Sequence, residues 1–135
     1  MLTRHELIEV RSQADIVNVR QVVRTWGMTI NMGLVDLTKL VTAASEIARN
    51  TVEYGGGGTL LLEELRDGLR AAVRLTFEDK GAGIADIARA MTDGYTSGRG
   101  MGLGLGGTKR LVDEFDLQSE VGKGTRIVIT KWKLR

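Results

Sequence analysis

Eighteen glycines and not one proline among 135 residues set the first constraint on this chain. The glycines are unevenly spread: nine lie from Gly81 to Gly107, and four form the run Gly55–Gly58. Average usage puts roughly nine or ten glycines in a chain this long, so the surplus is local. Glycine loses more backbone freedom on folding than any other residue. Such clusters suit tight turns or places where backbone approaches a ligand. Regular elements must then occupy the glycine-poor stretches, and their apolar periods identify them.

Ile8 and Val10 alternate with Glu9 and Arg11, which predicts a strand over about 6–12. Asp15 reads as an N-cap, followed by Ile16, Val19, Val23 and Trp26 at helical spacing, with Gly27 ending the helix. A second helix is expected from about Val35 to Tyr54, burying Leu37, Leu40, Val41, Ala44, Ile47 and Ala48, until Gly55–Gly58 stops it. Leu60–Leu65 reads as a strand, Asp67-Gly68 as a hairpin turn, and Ala71, Val73, Leu75 and Phe77 as the inward side of the next strand. A short helix is expected at about 84–92, and another from near Gly107 carrying Leu111, Val112 and Phe115. Two strands, about 117–121 and 125–132, flank the turn Gly122-Lys123-Gly124. The order β-α-α-β-β-α-α-β-β predicts one α+β domain spanning residues 1–135. Its architecture is a two-layer α/β sandwich, with helices on one face of a mixed, largely antiparallel sheet.

Composition removes several chemistries. With no cysteine, disulfides, thiolate zinc sites and thiol nucleophiles are excluded. The single histidine, His5, leaves no second imidazole for a metal cluster and argues against a Ser-His-Asp triad. The net charge of +2 is no nucleic-acid footprint. Three of the cations, Lys131, Lys133 and Arg135, lie in the last five residues, and the remainder is net negative. No apolar run approaches a membrane span and the N-terminus has no signal core, so a cytoplasmic protein is expected, with neither membrane nor nucleic acid as partner.

Four segments carry candidate chemistry. In Glu46-Ile47-Ala48-Arg49-Asn50, residues four apart share a helix face, away from the Leu37/Leu40/Ala44 stripe. By itself the pair is compatible with a solvated surface. It also suits a carboxylate taking a hydroxyl proton one turn from an amide oxygen serving Mg²⁺. Asp79-Lys80-Gly81-Ala82-Gly83 ends a strand. It is either an ordinary turn or an aspartate receiving an exocyclic amine such as that of adenine, with glycines admitting a flat ligand. Gly98 to Gly107 is a glycine-rich loop entering a helix, suited to phosphates or simply flexible. Gly102 to Gly107 spells G-x-G-x-x-G, but no strand precedes it and no βαβ unit surrounds it, so the dinucleotide reading fails. Gly-Lys is followed by Gly124 rather than Ser or Thr, which excludes a Walker A motif. Gly122-Lys123-Gly124-Thr125 on a hairpin turn says little alone.

In this order and spacing the four resemble the ATP site of the GHKL superfamily, which includes gyrase, Hsp90, histidine kinases and MutL. The E-x-x-x-N helix resembles its N-box, Asp79–Gly83 its D-x-G-x-G, Gly98–Gly107 its lid and Gly122–Thr125 its final G-x-G-T. The likeness runs from about residue 6 to the end. Ser45–Asn50, Thr108–Phe115 and Lys131-Trp132 are similar to the RsbT-type switch serine/threonine kinases of bacterial stress signalling. The resemblance implies the GHKL fold, Glu46 as base for the acceptor hydroxyl, Asn50 as Mg²⁺ ligand and Asp79 as acceptor of the adenine amine. It implies Gly81 and Gly83 lining the base pocket, supported by Thr125, and Gly98, Gly100, Gly102 and Gly104 around the phosphates of ATP. Arg99, Lys109 and Arg110 add charge there or are simply solvated. Gly106 departs from the lid pattern, where close relatives tend to carry proline. The implied activity is transfer of the ATP γ-phosphate to a serine or threonine of a STAS-domain protein, with a second role activating a PP2C-type phosphatase. The alternative is an anti-sigma-factor kinase, which would also bind a sigma factor.

Overall fold

The computed structural model describes residues 2–91 and 104–133, and the lid segment from Gly98 to Gly102 lies outside them. Element order agrees with the expected one: β1 (Leu2–Val10), α1 (Gln13–Thr29), α2 (Leu34–Glu53), β2 (Gly58–Asp67), β3 (Arg70–Asp79), α3 (Ile87–Ala90), α4 (Gly104–Lys109), β4 (Glu114–Glu120) and β5 (Gly124–Trp132). The five strands form one sheet in the order β1-β2-β3-β5-β4. All four pairings are antiparallel, so the sheet expected to be mixed and largely antiparallel is antiparallel throughout.

The core follows from the two periods. Leu60, Phe77, Ile127 and Leu117 stand in one rank across β2, β3, β5 and β4, and Leu62, Leu75, Ile129 and Phe115 in the next. Against them pack Ile16, Val19, Val23 and Trp26 from α1 and Leu37, Leu40, Ala44 and Ile47 from α2. Burying an aliphatic side chain of this kind contributes about 1.5–3 kcal/mol.

Several boundaries differ from the sequence expectation. Helix α1 is capped by Ser12, whose Oγ accepts from Asp15 N–H at 3.1 Å, while Asp15 Oδ2 accepts from Arg11 N–H at 2.8 Å. Asp15 is thus the returning half of a reciprocal cap rather than the N-cap itself. Nor does Gly27 end α1. The helix continues to Thr29 and closes with Asn31 left-handed at φ 60°. Asn31 N–H donates to Met28 O and Met32 N–H to Gly27 O, a Schellman closure. Gly27 serves packing instead, since a Cβ there would collide with Leu37 of α2.

Another difference lies after the lid. Helix α4 begins at Gly104 and ends at Lys109, and Phe115 belongs to β4, opposite Ile129. Arg110 N–H donates to Gly107 O and Leu111 N–H to Thr108 O, which turns the chain. Asp113 N–H then reaches Thr130 O and sheet pairing begins. The apolar residues read as one helical stripe are thus split between a turn and a strand. Similarly, the helix expected over 84–92 is the single turn Ile87–Ala90, capped by Asp86 Oδ1 accepting from Arg89 N–H at 2.9 Å.

Candidate functional site

A cavity of about 350 Å³ opens where the C-terminal end of α2 meets the end of β3, the segment from Gly83 to Ala90, the start of α4 and the start of β5. Its wall includes Asn50, Tyr54 and Gly55 from α2 and the turn after it, Asp79, Gly83, Gly104 and Thr125. Residues from all four short segments, distant in the chain, therefore converge on one hollow. Glu46 and Gly81 do not line it, and Gly98, Gly100 and Gly102 lie outside the described residues.

Asp79 is held by its own turn. Its Oδ1 accepts from Gly81 N–H at 2.9 Å, and its side chain is half-buried. No partner of Oδ2 occurs among the described residues, which leaves that oxygen to a donor in the cavity. What fixes the aspartate from above is Gly55. A Cβ at Gly55 would lie 2.5 Å from Asp79 Oδ2, so only glycine lets the end of α2 approach this carboxylate. Gly81 in turn presses on Gly55, and a Cβ there would sit 2.7 Å from its carbonyl oxygen. Gly55, the first of the glycine run that the sequence left without a role, is thus the roof over Asp79.

The other two glycine motifs interlock backbone to backbone. A Cβ at Gly83 (φ 79°) would strike the carbonyl of Glu120, and one at Gly124 (φ 110°) the carbonyl of Asp79. Gly122 N–H donates to Ala82 O at 2.8 Å, which ties the β4–β5 turn to the segment after Asp79. Ser119 completes the clasp: its Oγ accepts from Ile84 N–H at 2.7 Å and lies 2.8 Å from Thr125 Oγ1. Ser119 belongs to no glycine motif, so only the antiparallel pairing of Ser119 with Thr125 brings it here.

Along α2, Arg49 Nη2 donates to Glu46 Oε2 at 2.9 Å and Nη1 lies 3.9 Å from Glu53 Oε1. The hydrogen bond to Glu46 is the main influence holding the Arg49 guanidinium above the ordinary arginine value. Arg49 and Arg89 both line the cavity, as do Thr51, Ile84, Asp86 and Leu105, none of which the motifs pointed to. Arg49 was legible only as a letter inside the E-x-x-x-N segment. Lys109 and Arg110 are not on this wall.

The side-chain amide of Asn50 has no partner among the described residues and faces a cavity wide enough for a nucleoside. Mg²⁺ usually takes only one or two protein oxygens and completes its shell with phosphates and water. One amide oxygen is therefore a sufficient protein share, and the donor set fits.

Residues 35–135 match the model of the histidine kinase-, DNA gyrase B- and HSP90-like ATPases. The chain belongs to that family. Within it, the chain is 40% identical over 125 residues to the serine/threonine-protein kinase RsbT of Bacillus subtilis (strain 168), covering 93% of this chain and 94% of the relative. It is 31% identical over 105 residues to the anti-sigma F factor of Geobacillus sp. (strain WCH70), covering 72% and 70%. The RsbU and RsbW domains of Rv1364c from Mycobacterium tuberculosis superpose with a TM-score of 0.65 at 23% identity, over 96% of this chain and 32% of that one. Similarity to that structure is a statement of fold. The chain is thus an ATPase-family enzyme of the serine/threonine-kinase kind. Among the described residues no helix is long and apolar enough to cross a membrane.

Proposed function

We propose that this chain is a cytoplasmic, partner-switching serine/threonine kinase of a single domain that transfers the γ-phosphate of ATP to a STAS-domain regulator, and that it activates a PP2C-type phosphatase when released. The observation that carries the reading is Asp79, one oxygen tied to Gly81 N–H and the other left free on the wall of a nucleoside-sized cavity. A carboxylate so fixed accepts the amino group of adenine, and the aspartate supplies base specificity.

In this reading Asn50 contributes the protein oxygen to Mg²⁺, and Gly98, Gly100, Gly102 and Gly104 wrap the phosphates with backbone N–H groups. Gly83 and Thr125 support the base pocket. When bound, Mg²⁺ supplies charge neutralisation across the β- and γ-phosphates. Glu46, one turn before Asn50 on α2, takes the proton of the acceptor hydroxyl. Phosphorylation adds about −1.5 to −2 charge to the acceptor's contact surface. Repulsion and desolvation then release the kinase from it.

Thermal melts test the nucleotide site. Binding to the native state alone adds roughly 2.7 kcal/mol at a hundredfold excess over Kd, so Mg·ATP should raise the melting temperature and Asp79→Asn should erase most of the rise. No shift for the wild type at millimolar Mg·ATP overturns the reading. A pull-down with a STAS protein and a PP2C phosphatase tests the switch: ATP should move the chain from the first to the second, and Glu46→Gln should stay on the first. The similarity to anti-sigma F factors supports a second reading, in which a sigma factor is captured in preference to both.

A further inference from the structure

Along α2 the side chains of Glu46, Arg49 and Glu53 form a ladder at the helical spacings i+3 and i+4. Ion pairs on a fully solvated helix contribute little. This one is not fully solvated: the Glu46 and Arg49 side chains keep only 17% and 21% of their exposure.

The contact is also one-sided. Arg49 Nη2 bonds Oε2 of Glu46, and no partner of Oε1 occurs among the described residues. A carboxylate so held has one oxygen committed and one oxygen free, in a fixed rotamer. Glu53, at 3.9 Å from Nη1, braces the guanidinium from the opposite side. Arg49 lines the cavity and Glu46 does not, so the arginine links this carboxylate to the cavity wall.

We propose that Arg49 is a positioning residue, holding Glu46 by Oε2 so that Oε1 points free to receive the proton of the acceptor hydroxyl. The proposal rests on Glu46 acting as the base. Orientation matters because a base acts only within hydrogen-bond reach of the proton it takes. An unpinned glutamate samples several rotamers, and only a fraction of them present an oxygen to the hydroxyl. A charge-assisted hydrogen bond from a planar guanidinium removes that freedom with more directional precision than an ammonium.

The experiment compares the wild-type chain with Arg49→Met, Arg49→Lys, Glu46→Gln and the Arg49→Met/Glu46→Gln double variant. Transfer from Mg·ATP to a purified STAS-domain protein gives kcat and KM, and circular dichroism melts check folding. Methionine keeps the aliphatic stem of Arg49 on the helix. Arg49→Met should lower kcat about tenfold to a hundredfold, part of the roughly 10²–10⁴-fold that a general base supplies. The KM for Mg·ATP should stay within about twofold, and Arg49→Lys should recover part of the rate. In the Glu46→Gln background, Arg49→Met should slow transfer no further, because the group it positions is already gone.

A raised KM with unchanged kcat makes Arg49 a phosphate ligand and overturns the proposal. Additive losses in the double variant overturn it too, as does a kcat loss matched by a collapsed melt. Wild-type transfer by Glu46→Gln is a different failure: it removes the base assignment beneath the proposal.

Discussion

The two ends of α2 are built on opposite terms. At its N-terminal end, about 30 Å of helix away from its last turn, side chain meets side chain. Leu37 fills the space left by Gly27 of α1, Met32 and Ile30 are buried beside them, and Met28, Leu34 and Val35 stand exposed. Lys131, only 7% exposed, is held there by Asp36 at 3.5 Å and Asp113 at 3.8 Å. At the C-terminal end, backbone meets backbone or the Asp79 carboxylate. Gly55 lies on Asp79, Gly81 on Gly55, Gly83 on Glu120 and Gly124 on Asp79. A side chain can rotate away from an intruding methyl group, whereas a carbonyl in a sheet cannot. The cavity end is therefore rigid by construction, and the far end is adaptable.

The largest effect expected from this contrast is at Gly124. Its left-handed φ and the Asp79 carbonyl leave no place for a methyl group. Gly124→Ala should cost about 3 kcal/mol or more, read as a lower urea midpoint at unchanged slope. A loss below about 1 kcal/mol would break the contrast at its strongest point.

Gly55→Ala comes next and sharpens it. The new methyl group meets a side chain rather than a carbonyl, so the fold should survive while Asp79 is displaced. Affinity for Mg·ATP should drop about tenfold, which is about 1.4 kcal/mol, by isothermal calorimetry. Unchanged affinity would mean that the roof over Asp79 does not set its position.

At the other end, Gly27→Ala is expected to stay within about 1 kcal/mol of wild type in urea unfolding. Alanine gains about 0.5–1 kcal/mol in a helix interior, and Leu37 yields through the flexible end of its side chain. A loss comparable to that at Gly124 would show the two ends to be equally rigid. Smallest of all, Leu34→Ser should shift stability by no more than about 0.5 kcal/mol, since Leu34 is 76% exposed at the start of α2. Its nucleotide affinity should be indistinguishable from wild type.

Much of this was legible in advance, for a physical reason. Hydrophobic period is a local property, so the strands around Leu60–Leu65 and Ala71–Phe77 and the helix from about 35 to 54 read directly from spacing. The E-x-x-x-N, D-x-G-x-G and G-x-G-T segments are likewise short, and each is written in consecutive letters. Errors gathered where the local signal was shared between competing outcomes. Ser12 and Asp15 both cap α1, so spacing alone could not say which is the N-cap. Leu111, Val112 and Phe115 have helical spacing, but pairing with β5 outweighed it for Phe115.

By itself, then, the order of residues determined the elements, their sequence and the positions of the functional letters. Tertiary structure decided what those letters do to one another. Gly55 and Asp79 are 24 positions apart, and nothing local says that one roofs the other. Ser119 reaches Ile84 and Thr125 only because β4 lies antiparallel to β5. Glu46 and Arg49 are near neighbours, yet their partial burial, which lends the pair weight, comes from the elements packed around α2. Contacts between distant segments depend on which faces the core draws together, and that is a property of the whole chain.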